Sequence, residues 1–173
     1  MTNFKEDLGN IKAFIFDIDG VLSLQTIALN SFGVPNRTVN LRDGYALQLA
    51  VKKGYLVAVI SGGNCKEYSR RLKLLGITDI YLNSQTKMDQ FNSFLKKRGL
   101  SSSEVLYMGD DIPDFEVMKK AGVPVCPADA DSSIKQISKY ISDKKGGEGC
   151  VRDVIEQVLR LKNSWMDSDA FTW

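Results

Sequence analysis

Histidine is missing altogether from the 173 residues. Its absence removes every mechanism built on imidazole, from serine and cysteine triads to zinc sites that need a ring nitrogen. Cysteine is scarce: Cys65, Cys126 and Cys150 are widely spaced and odd in number, with no CxxC among them. A disulfide framework or a thiolate zinc site is therefore not expected, and reduced thiols in a cytoplasmic setting are. Cys65 has no histidine partner to activate it as a nucleophile. No apolar run approaches the ~18 residues that span a bilayer. The opening stretch MTNFKEDLGNIKAFIF places acidic residues before its first apolar run, without a cleavage-site pattern, and is not expected to be a signal peptide. Neither sign of charge is in excess: 23 basic against 21 acidic residues leave a net +2, which points away from nucleic acid and membrane as main partners. Any chemistry must rest on carboxylates, lysine, hydroxyls, thiols or a metal.

What is present is ordinary globular composition, 43% hydrophobic and 25% charged, in a length that suits a single domain over 1–173. Short apolar runs alternate with helical patterns. Ala13–Phe16 stops at Asp17; Leu56–Ile60 ends in Ser61-Gly62-Gly63; Asp79–Leu82 is weaker; Val105–Met108 ends in Gly109-Asp110-Asp111. Val123–Cys126 reads as a fifth strand, with Pro124 suggesting a sheet edge. Helices are expected at about 43–53, 64–76, 87–98, 113–121, 131–138 and 150–162. This rhythm predicts an α/β fold, a doubly wound parallel sheet covered on both faces. Residues 21–41 depart from it, alternating apolar and polar around Gly33-Val34-Pro35-Asn36, and read as an inserted β-hairpin (about 22–41). The tail 163–173 lacks periodicity; it is frayed, or it docks through Trp165, Phe171 and Trp173.

In an open parallel sheet, ligands bind beyond the carboxyl ends of the strands. Those ends carry Asp17, Asp19 and Gly20, then Ser61, Gly62 and Gly63, then Gly109, Asp110 and Asp111. Four carboxylates on one rim repel unless a cation neutralises them, and an oxygen-rich site favours Mg²⁺. Helix capping accounts for Asp111 before Pro113 but not for D-x-D-G after one apolar run together with G-D-D after another. A carboxylate held against Mg²⁺ can attack phosphorus, and an acid two residues on can donate a proton to the leaving oxygen. Ser61, with the backbone N–H groups that open the next helix, makes an anion hole, and Lys87 is placed to neutralise a phosphate or Asp17.

Asp17-Ile18-Asp19-Gly20-Val21-Leu22, Ser61, Lys87 and Gly109-Asp110-Asp111-Ile112-Pro113-Asp114 resemble, in order, the four motifs of the haloacid dehalogenase superfamily of phosphotransferases. The resemblance implies Asp17 as nucleophile, Asp19 as general acid/base that also gives its backbone carbonyl to Mg²⁺, and Ser61, Gly62 and Lys87 as phosphoryl binders. It implies metal binding by Asp17, Asp19 and Asp110, with Asp111 or Asp114 in support. There is no insertion long enough for a cap domain. Val39–Tyr45 and Lys145–Asp153 look like the capless, tetrameric sugar-acid phosphatase branch, most of all its octulosonate 8-phosphate group of lipopolysaccharide synthesis. That resemblance implies a homotetramer whose neighbouring subunit helps close the site on a small sugar-acid phosphate.

Gly63 departs from the pattern, because many octulosonate phosphatases have S/T-G-R where this chain has Ser61-Gly62-Gly63. A sister group acting on a nine-carbon keto-acid 9-phosphate has an acidic residue there, so Gly63 fits neither. Arg71 sits where both groups place an arginine toward the substrate, and Arg42 in Arg42-Asp43-Gly44-Tyr45 favours the octulosonate group. Two readings of a different class stay open, a phospho-accepting receiver module and a non-catalytic binding module. The receiver is opposed by the third strand ending at Leu82-Asn83 rather than at an acid. The idle module is opposed by the presence of every motif residue.

Overall fold

The computed structural model describes residues 4–172. Its centre is one parallel six-stranded sheet, ordered β3-β2-β1-β4-β5-β6. The strands are β1 (Ala13–Phe16), β2 (Leu56–Ile60), β3 (Asp79–Tyr81), β4 (Val105–Met108), β5 (Val123–Cys126) and β6 (Tyr140–Ile141). The apolar runs form strands because nearly every residue in them is buried, as both faces of the sheet are covered. Side chains alternate between two cores. Phe14, Phe16, Val57, Val59, Leu106 and Met108 face one layer, and Ala13, Ile15, Ala58, Ile60, Val105 and Tyr107 face the other. The first layer holds α1 (Phe4–Leu8), α2 (Leu41–Lys52), α3 (Lys66–Leu74) and α7 (Cys150–Leu161). The second holds α4 (Lys87–Arg98), α5 (Phe115–Lys120) and α6 (Ser132–Ile137). The chain winds outward from β1 to β3, then returns to lay β4 beside β1 with Phe16 opposite Met108. That reversal puts the topological switch point between β1 and β4, where a crevice opens at their carboxyl ends.

Three expectations change. Residues 22–41 contain no strand: the hairpin is reduced to one antiparallel bridge, Leu29 to Pro35, around a turn in which Asn30 N–H donates to Val34 O. Phe32 is 87% exposed and Leu29 63%, so within one chain the ribbon has no face to bury, and a two-stranded ribbon alone is marginal. Pro124 does not mark the edge, because β6 pairs with Val125 and Cys126 beyond it. The proline is tolerated because β6 is two residues long and begins opposite Val125. The tail docks on its own α2 through Trp165 rather than Phe171, which is exposed. Trp165 is 4% exposed, edge-on to Tyr45 and under the Arg152 guanidinium, while Lys53 pairs with Asp167 and Asp169. Trp173 lies outside the described residues. Among the described residues, no helix is long and apolar enough to cross a membrane.

The helices α2 and α7, which pack on the same face of the sheet, are tied by a buried acid. Asp43, in the first turn of α2, accepts from the Arg152 N–H of α7 through Oδ1 at 2.7 Å, and its Oδ2 is buried with no partner. Burial pushes this carboxyl up to about 6, against the Arg152 and Gly149 N–H groups and the Arg152 charge. Tyr68 and Arg71 of α3 line the same small cavity, and Cys150 of α7 lies within its field. A raised carboxyl pKa means that the folded chain holds the proton more tightly than the unfolded one. The stability it contributes is complete below the unfolded value and is lost as pH rises through about 6. Asp43→Asn removes that loss, so between about pH 4 and about pH 7.5 the variant is expected to gain roughly 2–3 kcal/mol relative to the parent chain. Urea unfolding at both pH values checks it, and a difference that does not move with pH contradicts it.

Candidate active site

The carboxyl end of β1 and that of β4 each deliver acids to the switch point. Asp17 follows β1 directly, and its N–H donates to Met108 O at 3.1 Å, which continues the ladder one residue past the strand. Its Oδ1 accepts from its neighbour's Ile18 N–H at 2.6 Å. From β4 come Asp110 and, one short turn later, Asp114, which is fully buried. Oxygens of Asp17, Asp110 and Asp114 lie within 4.8 Å of one another. Gly20 is required between them. It has φ +77°, and a Cβ there would stand 1.9 Å from Asp110 Oδ2.

Among the described residues, one cation contacts this group. Lys87, the first residue of α4, is 6% exposed and reaches Asp17 Oδ2 at 2.7 Å and Asp114 Oδ1 at 2.8 Å. Burial works against its charge, but Asp17 and Asp114 outweigh it and hold the ammonium above its ordinary range. Tyr107 OH donates to the same Asp114 Oδ1 at 2.6 Å. One ammonium against three carboxylates leaves the cluster short of positive charge. Burial, and then the Asp114 carboxylate, push Asp110 up to about 7, and the same two causes push Asp17 up against the opposing pull of Lys87. Asp114 Oδ2 is buried without a partner. A hard divalent cation answers each of these features: oxygen donors only, within one coordination span, under-neutralised, with an orphaned oxygen among them. The residues fit Mg²⁺.

The other expected residues divide. Ser61 directly follows β2, is 1% exposed, and its Oγ accepts from Gly63 N–H at 3.2 Å. Ser61, Gly62, Gly63 and Lys87 line the same open cleft as Asp17, Asp110 and Asp114, a volume of about 280 Å³. α3 begins at Lys66, two residues later than the helical pattern suggests, which leaves the segment after Ser61 as a loop. Asp19 faces the cleft but its carboxylate is turned away from the other acids onto Arg37. Asp114, expected only in support, stands within the carboxylate cluster with Asp17 and Asp110. Asp111 is exposed and accepts from its neighbour's Ile112 N–H, capping a short turn. Arg71 does not reach the cleft. It packs on Gly44 of α2, its Nη2 3.6 Å from where a Cβ would stand. Arg42 also lies elsewhere, lining a separate groove of about 1080 Å³ beside Arg152.

Tyr107 and Arg37 escaped the sequence reading. Tyr107 sits inside an apolar run, and only the register of β4 shows that its hydroxyl meets Asp114. Arg37 lies in the insertion, where no periodicity fixes a side-chain direction. Gln25 Nε2, 3.5 Å from Asp110 Oδ2, is a third such residue.

Comparison with known proteins places this geometry. Residues 73–155 match the family model of haloacid dehalogenase-like hydrolases. The chain is 36% identical over 150 residues to the 3-deoxy-D-manno-octulosonate 8-phosphate phosphatase of Escherichia coli K12, covering 87% of this chain and 80% of that protein. The Moraxella catarrhalis enzyme of the same name, solved with magnesium, phosphate and the sugar acid, superposes with a TM-score of 0.90 at 33% identity, over 99% of this chain and 97% of that one. The Yersinia pestis enzyme superposes with a TM-score of 0.90 at 31% identity, over 94% and 88%. The chain belongs to the 3-deoxy-D-manno-octulosonate 8-phosphate phosphatase family of haloacid dehalogenase-like hydrolases.

Proposed function

We propose that this protein is a Mg²⁺-dependent phosphatase that hydrolyses 3-deoxy-D-manno-octulosonate 8-phosphate to the free sugar acid and phosphate. The observation that carries the reading is the buried set of Asp17, Asp110 and Asp114 around Lys87 at the switch point, in a chain that superposes over 99% of its length on an enzyme holding magnesium, phosphate and that sugar acid. When bound, the metal supplies positive charge to Asp17, Asp110 and Asp114 and to the phosphoryl oxygens.

The chain's own residues do the rest. Asp17 is the nucleophile. Lys87 on Oδ2 and the Ile18 N–H on Oδ1 fix the carboxylate at the mouth of the crevice. As Asp17 bonds to phosphorus, the bond from phosphorus to the sugar oxygen breaks, and Asp19 hands that oxygen a proton. Asp19 then takes a proton from the water that attacks phosphorus, which returns the Asp17 carboxylate and releases phosphate. Ser61, the backbone at Gly62 and Lys87 hold the phosphoryl oxygens, and Tyr107 keeps Asp114 in place beneath them.

Assembly belongs to the same proposal. The insertion exposes Leu29, Phe32, Val34, Val39 and Leu41, an apolar surface suited to burial against further copies in a homotetramer. The cleft is open, and a neighbouring subunit closes it.

Phosphate release with Mg²⁺ tests the activity. Octulosonate 8-phosphate is expected to exceed nine-carbon keto-acid 9-phosphates, hexose phosphates and nucleotides in kcat/KM by at least about 100-fold, and chelation is expected to stop release. Equal, feeble turnover of the whole panel contradicts the substrate, and release that survives chelation contradicts the metal.

A further inference from the structure

Asp19 stands apart from the other acids because one guanidinium holds it. Arg37 Nε donates to Oδ1 at 2.7 Å and Nη2 to Oδ2 at 2.8 Å, so both carboxylate oxygens are engaged by a single fork. The two partners differ in exposure: the Arg37 side chain is 9% exposed, the Asp19 side chain 45%. Gly63 completes the arrangement, since a Cβ there would lie 2.5 Å from Arg37 Nη2 and 3.3 Å from Asp19 Oδ2. The guanidinium therefore fills the space that a side chain at position 63 would take, on the wall of the cleft.

The backbone that carries Arg37 is anchored to the loop that carries Asp19. Thr38 N–H donates to Ser23 Oγ and Leu24 N–H to Thr38 Oγ1, each at 2.9 Å, and Ser23 is fully buried. Arg37 also lines a second cavity of about 260 Å³, together with Asn36, Asn64, Cys65 and Glu67. The guanidinium thus meets the catalytic cleft through Asp19 and Gly63, which line it, and borders a separate space large enough for it to move into.

A carboxylate gripped at both oxygens by one guanidinium fork is held on that fork rather than free to turn toward a leaving group. Asp19 must release at least one Arg37 contact before it serves the sugar oxygen. An enclosed guanidinium with an empty fork is unfavourable unless another planar anion replaces the one that left. The substrate class proposed above carries such a group, a carboxylate of the same shape as that of Asp19. We propose that Arg37 is the carboxylate-recognition residue of this site, exchanging the Asp19 carboxylate for that of the substrate, so that a sugar acid frees Asp19 for proton transfer and a neutral sugar phosphate does not. The inference rests on the sugar-acid reading. It accounts for Gly63 as the residue that leaves room for a guanidinium arriving from the insertion.

The test measures kcat and KM for octulosonate 8-phosphate and for a hexose 6-phosphate, which has the phosphoryl group but no carboxylate. The proteins are the parent chain, Arg37→Ala, Arg37→Lys and Gly63→Ala, each with a thermal melt. Arg37→Ala is expected to lower kcat/KM for the sugar acid by about 100-fold, and to reduce the ratio of sugar-acid to hexose kcat/KM by at least about 10-fold. Arg37→Lys keeps the charge but not the fork, and is expected to lose the ratio as well. Gly63→Ala displaces Nη2 and is expected to move the ratio the same way. Equal losses on both substrates would show that Arg37 only positions Asp19 and would overturn the proposal, as would an unchanged ratio. If the parent chain itself does not prefer the sugar acid, the proposed function fails. If it does and Arg37→Ala keeps the preference, only the Arg37 assignment fails.

Discussion

Asp17→Asn is expected to abolish phosphate release, by at least about 10⁴-fold in kcat, while leaving the fold in place. The loss follows from the role of the carboxylate, because an amide cannot form the acyl phosphate on which the second half of the reaction depends. The survival of the fold follows from the site's charge. Burial and the Asp114 carboxylate already push the Asp17 carboxyl toward its neutral form, so a neutral side chain of the same shape removes repulsion among three crowded acids. Its Ile18 contact is local, and Lys87 keeps Asp114. The melting temperature without metal is expected to stay within about 4 °C of the parent chain, the shift that roughly 1–2 kcal/mol produces at this size. Steady-state kinetics and a thermal melt on one preparation check both halves. Appreciable turnover contradicts the nucleophile, and unfolding contradicts the electrostatic account of the cluster.

Lys87→Met is expected to act on both fold and activity. The ammonium is enclosed between Asp17 and Asp114, and no other basic side chain contacts either of them among the described residues. Removing one member of a buried ionic group leaves the others uncompensated, which costs about 3–5 kcal/mol. For a chain of this length that corresponds to a melting temperature lower by roughly 6–20 °C. Turnover is expected to fall by about 10³-fold or more, since the variant loses both a contact that aligns the nucleophile and one that receives the phosphoryl group. Mg²⁺ brings positive charge to the same acids, so it is expected to raise the variant's melting temperature more than that of the parent chain. Thermal melts with and without Mg²⁺ give the comparison. A variant as stable as its parent without metal contradicts the reading of Lys87 as the internal counter-ion.

Much of this site was legible because apolar strands stop where the chemistry starts. Asp17 and Asp110 are each found at the point where a buried run ends, and strand ends in a parallel sheet converge whatever the intervening helices do. Lys87 was harder, because nothing local distinguishes a buried lysine at a helix start from a solvated one; the two carboxylates that keep it inside lie 70 and 27 residues away. Asp114 is read from sequence only as support, an alternative to Asp111 that the family resemblance implies. A turn after Asp111 folds it back into the cluster. The hairpin forms only in part, as the antiparallel bridge from Leu29 to Pro35, for a physical reason: its alternating pattern calls for a face to bury, and one chain supplies none. Short pieces such as α1 and β6, five and two residues long, fall below the length at which any periodicity is visible. Arg37 could not be found from sequence, because its meaning lies in the missing Cβ of Gly63.

The central claim is that phosphoryl transfer passes through Asp17 at the junction of β1 and β4, and acid-quenched turnover tests it most directly. Protein mixed with Mg²⁺ and octulosonate 8-phosphate, quenched in acid during turnover and digested, is expected to carry one phosphoryl group on the peptide containing Asp17. The same experiment with chelator, or with Asp17→Asn, is expected to show none. Turnover with that peptide unmodified and a phosphoryl group elsewhere would contradict the account.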